Sequence, residues 1–193
     1  MLDSAMEPRA NPIPARRSDT HIVVYPNRVR FEAALGSMLR RLHGSCAMLH
    51  VAVSGDHGTG SISRHMLNLV GSTLRVCMRK GELAYLGDAE FAVLLRGVDA
   101  YEASTYARTV IAIVSGFRVL WEGELLGAEA QVGGVMFDDG ELDSGLLAVA
   151  EEAGQIAASK TDCKLHILRH QRAATPQPAD VARDPGIRDA ATT

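Results

Sequence analysis

The residues most able to do chemistry in this 193-residue chain cluster at Leu86-Gly87-Asp88-Ala89-Glu90-Phe91, where two carboxylates follow a glycine. Glycine lets backbone approach a ligand closely, and paired carboxylates hold cations, so the segment has the makings of a phosphate or metal site. Gly and Asp are also ordinary turn residues, and composition alone favours a solvated hairpin tip. Just upstream, Arg79-Lys80 reads as a basic helix C-terminus favoured by the helix dipole. His166 and His170 are four apart but straddle a strand end, and His50, His57 and His65 bring no matching cysteine or acidic cluster. No metal site and no cofactor are expected from them. Cys46, Cys77 and Cys163 are far apart and form no CxxC pair, which predicts small core residues rather than a disulfide framework.

These groups need elements to hold them. Phe31, Ala34, Leu35, Met38, Leu39 and Leu42 fall at the steps of a helix face, which predicts a helix over Arg28 to His43. Ala47 to Val53 is short, apolar and followed by the turn-rich SGDHGTG, the pattern of a buried strand. A second helix carries Ile62, Met66, Val70, Leu74 and Met78, with Ser61 or Ser63 as its cap and Gly81 as its stop. The apolar runs Leu83 to Leu86 and Glu90 to Leu95 flank Gly87-Asp88-Ala89 as a hairpin. A third helix uses Ala103, Tyr106, Ala107, Val110 and Val114, and a hairpin about Glu122-Gly123, with Trp121 at its edge, leads into Ala128 to Phe137. A fourth helix uses Leu142, Leu146, Val149, Ala153 and Ala157 before a strand over Cys163 to Leu168. This order predicts an α/β (α+β two-layer) domain: one mixed, mostly antiparallel central sheet flanked by helices.

Apolar residues make up 47% of the chain and charged residues 22%, which excludes a disordered polymer. Residues 1–19 and 171–193 are rich in proline and small or polar residues without periodicity; they read as tails around one domain over 20–170. No apolar run approaches the roughly 18 residues that span a bilayer, and the N-terminal residues lack the apolar centre of a signal peptide, so a cytoplasmic protein is expected. Through Lys80 there are 11 Lys and Arg against 5 Asp and Glu; from Gly81 onward there are 9 against 18. Halves of opposite sign can guide association with a charged partner or a second copy. A nucleic-acid binder would instead show a clustered basic patch with aromatics, and aromatics are only 5% here.

GDAEF followed by AVLL resembles the signature hairpin of GGDEF domains, the diguanylate cyclase family. Pro26-Asn27-Arg28 with Phe31 resembles that family's Leu-x-Asn-Arg before the first helix; His57 and Gly60 are similar to its Gly-His-x-x-Gly-Asp turn. Gly133 in QVGGV resembles its Ser-Ile-Gly strand, and Leu146-Leu147 with Ala157 to Lys160 its last helix. The resemblance implies a palm-like sheet, and in active members the joining of two GTP molecules into cyclic di-GMP by two metal ions. Such a displacement needs carboxylates to hold both ions. At the positions of the strand acids this chain has Val51 and Val53, and in the signature Ala89 stands at the first acidic position and Asp88 at the second glycine. The guanine-reading residues are not evident. Arg79 and Glu82 would correspond, in lengthened form, to the family's second, product-binding site, where an arginine forks to or stacks on guanine, with Arg75 as another register. The resemblance thus implies a catalytically inactive signalling module acting through another protein or a second copy, with Gly87, Asp88, Ala89, Glu90 and Phe91 a vestigial signature. The alternatives are a cyclase with an altered site and a GTP or cyclic di-GMP sensor without turnover.

Overall fold

A computed structural model of the protein describes residues 22–55, 64–78, 81–121, 123–138, 145–159 and 164–169. Both expected tails, and the readings placed on His57, Gly60, Ser61, Ser63, Arg79, Lys80, Lys160, Cys163 and His170, lie outside them.

The elements follow in the order β1 (Ile22–Tyr25), α1 (Arg28–Leu39), β2 (Cys46–Gly55), α2 (Arg64–Cys77), β3 (Gly81–Gly87), β4 (Glu90–Arg96), α3 (Ala100–Ser115), β5 (Arg118–Trp121), β6 (Glu124–Phe137), α4 (Leu146–Ser159) and β7 (Leu165–Arg169). The strands form one seven-stranded sheet ordered β1-β3-β4-β2-β6-β5, with β7 also on β6. Pairing is antiparallel except where β1 meets β3 and β7 meets β6, the mixed, mostly antiparallel sheet that the element order calls for.

Strand alternation sorts the core onto two faces. Leu49, Val51, Val53, Phe91 and Val93 point to one side, where Val70 and Leu74 of α2 and Ala107 and Val110 of α3 cover them. Met48, Ala92, Leu94 and Val135 point to the other, under Phe31 and Leu35 of α1 and Leu146 and Ala150 of α4. The helices therefore take both faces, and the sheet is the middle of three layers rather than one of two. Three elements differ from the sequence reading. Ile22–Tyr25, not anticipated, is an edge strand whose central residues Val23 and Val24 are exposed. Gly81 does not stop α2, which ends at Cys77, but opens β3; its φ is +145°, and a Cβ there would lie 1.9 Å from the Leu94 carbonyl oxygen. The helix expected to run to His43 ends at Leu39.

A second glycine contact sets the position of α4. A Cβ on Gly133 of β6 would lie 2.0 Å from the Gly154 nitrogen, so only glycine lets this helix approach β6 so closely. Gly133 is also the register partner of His50 on β2. The close crossing thus lays Gly154, and Glu151 one turn before it, over His50.

Candidate functional site

The signature residues form the β3–β4 turn. Asp88 and Ala89 have φ of +47° and +64°, the two successive left-handed residues of a tight hairpin turn whose twist matches that of its strands. Beyond the turn Glu90 and Phe91 point to opposite faces. Phe91 lies opposite Val51, and the Val53 amide donates to the Ala89 carbonyl at 3.1 Å. Val51, Val53, Ala89 and Phe91 all join the core under α2 and α3. The three positions at which the resemblance leads one to look for carboxylates are thus adjacent on one face, and all three are apolar. Asp88 is exposed at the tip.

Glu90 turns to the other face, toward α1 and α4. Asn27 caps α1 by accepting from the Arg30 amide at 2.9 Å, which fixes the start of the helix and sends Arg28 toward the sheet. The Arg28 guanidinium donates to Glu151 at 2.5 Å and lies 3.8 Å from Glu90. Its hydrogen bond to Glu151 holds its pKa above the ordinary guanidinium value, against the opposing pull of burial. Beneath them lies His50, 5% exposed, with Nε2 3.4 Å from the Glu90 carboxylate but not hydrogen-bonded to it. Ligating atoms of His50, Glu90 and Glu151 all lie within 4.8 Å of one another. The sequence offered His50 no acidic partners; the fold supplies two, from positions 90 and 151. The available signal was a histidine inside the apolar run AMLHVAV, on the strand face opposite Leu49 and Val51.

Glu82, read as the acid of a second nucleotide site, is 2% exposed and pairs with Arg96 through both carboxylate oxygens. The two lie on the same face of the β3–β4 ladder, where Glu82 faces Leu94 in register. This carboxylate is therefore committed to neutralising a neighbouring strand's arginine. Arg75 lies elsewhere, on an open groove of about 860 Å³ between α2 and β3. Arg64, Asn68, Ser72, Tyr85 and Phe91 line it too. Arg64 and Arg75 are exposed and in no ion pair among the described residues. The groove has the room to receive an anionic ligand of nucleotide size.

A central mixed sheet with the β3–β4 turn at one end of its strands and helices on both faces is the GGDEF-domain fold of diguanylate cyclases. No family model and no curated protein matches the sequence, but solved structures do. The GGDEF domain of YfiN (TpbB) from Pseudomonas aeruginosa matches over 74% of this chain and 96% of that one, at 22% identity and a TM-score of 0.62. The diguanylate cyclase SiaD of the same organism, solved with its activator SiaC, matches over 76% of this chain and 59% of that one, at 19% identity and a TM-score of 0.63. DgcB from Caulobacter crescentus, a coiled coil and GGDEF domain solved with c-di-GMP, matches over 74% and 81%, at 16% identity and a TM-score of 0.62. No helix among the described residues is long and apolar enough to cross a membrane.

Proposed function

We propose that this chain is a catalytically inactive GGDEF-type module that acts by binding in cyclic di-GMP-related signalling. One observation carries the reading: Val51, Val53 and Ala89 lie together on the face between the hairpin and α2, and Val51 is fully buried. A two-metal displacement needs carboxylates there to place both ions, and Glu90 points to the opposite face. Asp88, the acid on the turn itself, is exposed at its tip. With GTP and Mg²⁺ or Mn²⁺, the purified protein is expected to make no cyclic di-GMP. Product above a blank, abolished by Glu90→Gln, would overturn the proposal and reinstate an altered cyclase.

The groove beside α2 favours a second reading, a sensor that binds nucleotide without turnover. Two exposed arginines with no ion-pair partner among the described residues, beside Tyr85, suit a phosphate-bearing, stackable ligand. SiaD with its activator and DgcB with c-di-GMP show both kinds of partner on this fold. Calorimetric titration with GTP and with cyclic di-GMP separates the two readings, since a pure protein-interaction module binds neither.

A further inference from the structure

We infer that His50, Glu90 and Glu151 form a zinc-binding site on the face of the sheet opposite Val51 and Val53. Three lines of geometry meet there. Their ligating atoms lie within 4.8 Å of one another, and ligands around a tetrahedral zinc lie about 3.4 Å apart at bonds near 2.1 Å, so small side-chain rotations close the site. The His50 side chain is 7% exposed, and among the described residues neither Nδ1 nor Nε2 has a hydrogen-bond partner, Nε2 lying 3.4 Å from the Glu90 carboxylate without bonding it. A buried polar group left unmatched marks a place where an ion or water belongs. Finally, the backbone makes room for this ring. A Cβ on Gly154 would lie 3.0 Å from His50 Nδ1, and the Gly133–Gly154 crossing brings Glu151 over the imidazole.

Arg28 explains the carboxylates but not the histidine. It bridges Glu151 and Glu90 from the rim and balances their charge when the site is empty, yet makes no bond to the ring beneath. It also lies where an ion would enter, so metal and guanidinium compete for the same two carboxylates. One imidazole with two carboxylates suits zinc, whereas Mg²⁺ prefers an all-oxygen set and keeps its waters. Three protein ligands leave a fourth position for water.

The test is titration of Zn²⁺ into the full chain after chelator treatment, without nucleotide, by calorimetry and by the visible spectrum of bound Co²⁺. One equivalent of Zn²⁺ is expected, with a rise in Tm, and at least tenfold weaker Mg²⁺ binding. His50→Leu, which removes the unmatched ring nitrogens from an apolar strand, should fold, lose the equivalent and lose the zinc-dependent Tm rise. Glu151→Gln and Glu90→Gln should each weaken binding at least tenfold should the leucine variant not fold. Arg28→Gln should tighten it by removing the competing cation. Absence of a saturable equivalent, or an equivalent left untouched by His50→Leu and Glu151→Gln, overturns the inference and assigns any uptake to surface histidines.

Discussion

At the scale of single residues the signature turn is under strain. Ala89 sits at φ +64°, a left-handed conformation that costs an L-residue about 1–2 kcal/mol, and the favoured sequences for such a turn put glycine there. Ala89→Gly should relieve that strain, less about 0.4–1 kcal/mol for glycine's extra freedom when unfolded. A net gain of up to about 1.6 kcal/mol, about 0.8 kcal/mol at mid-range, is expected, read as a higher urea midpoint at unchanged slope. A midpoint at or below the parent would show that Ala89's contacts with the core outweigh its backbone conformation. Residue chemistry was legible in part. The hairpin could be read from the apolar runs around Gly87-Asp88-Ala89, although Asp-Ala is a poor turn pair. The grouping of His50 with Glu90 and Glu151 could not, because no local spacing joins three positions on β2, β4 and α4. Glu82 looked like a ligand only until its strand face put it beside Arg96.

At the scale of elements, periodicity made all four helices legible, and their apolar positions are the ones that face the sheet. Ile22–Tyr25 was not legible because an edge strand half-open to solvent has neither the run of a buried strand nor clean alternation. The contact between α2 and α3 shows what periodicity leaves out. Tyr106 stands at an apolar position of α3, yet its hydroxyl donates to the Leu74 carbonyl at 3.1 Å, bonding one of the last turns of α2 to its neighbour. Burial first, and nearby Cys77 second, push the phenol well above its ordinary pKa. A folded-state value above the unfolded one stabilises the fold below the unfolded pKa near 10, and that stability drains away as pH rises beyond it. Tyr106→Phe should cost about 1 kcal/mol at neutral pH for the lost hydrogen bond, and should flatten the loss of stability above about pH 10. Denaturant melts at pH 7 and pH 10.5 measure both. An equally steep alkaline loss in the variant would place its origin in another group.

For the whole molecule, the separation of charge along the chain becomes a question of association. The basic half of the sequence supplies β1, α1, β2 and α2, and the acidic half supplies the rest, so the two are interleaved through the sheet rather than split into lobes. Much of the opposition is therefore met within one molecule, as in the Arg28–Glu151 contact between α1 and α4. What stays open for a partner is charge at the surface, such as Arg40 and Arg41, exposed just after α1. Under the proposed reading, function would lie in such surfaces, since fold alone confers none. Association led by these charges should weaken with salt, because screening shortens from about 10 Å at 0.1 M to about 3 Å at 1 M. Association through exposed apolar residues, such as Leu120 and Leu125 on the β5–β6 hairpin, should not. Light scattering and partner capture at low and high salt are expected to show a complex lost at high salt and in the Arg40→Glu, Arg41→Glu double variant. A complex indifferent to both changes would move the interface to the apolar hairpin. A protein that stays monomeric and partnerless at every salt concentration, yet binds cyclic di-GMP in the groove of Arg64 and Arg75, would replace the interaction module with a ligand sensor.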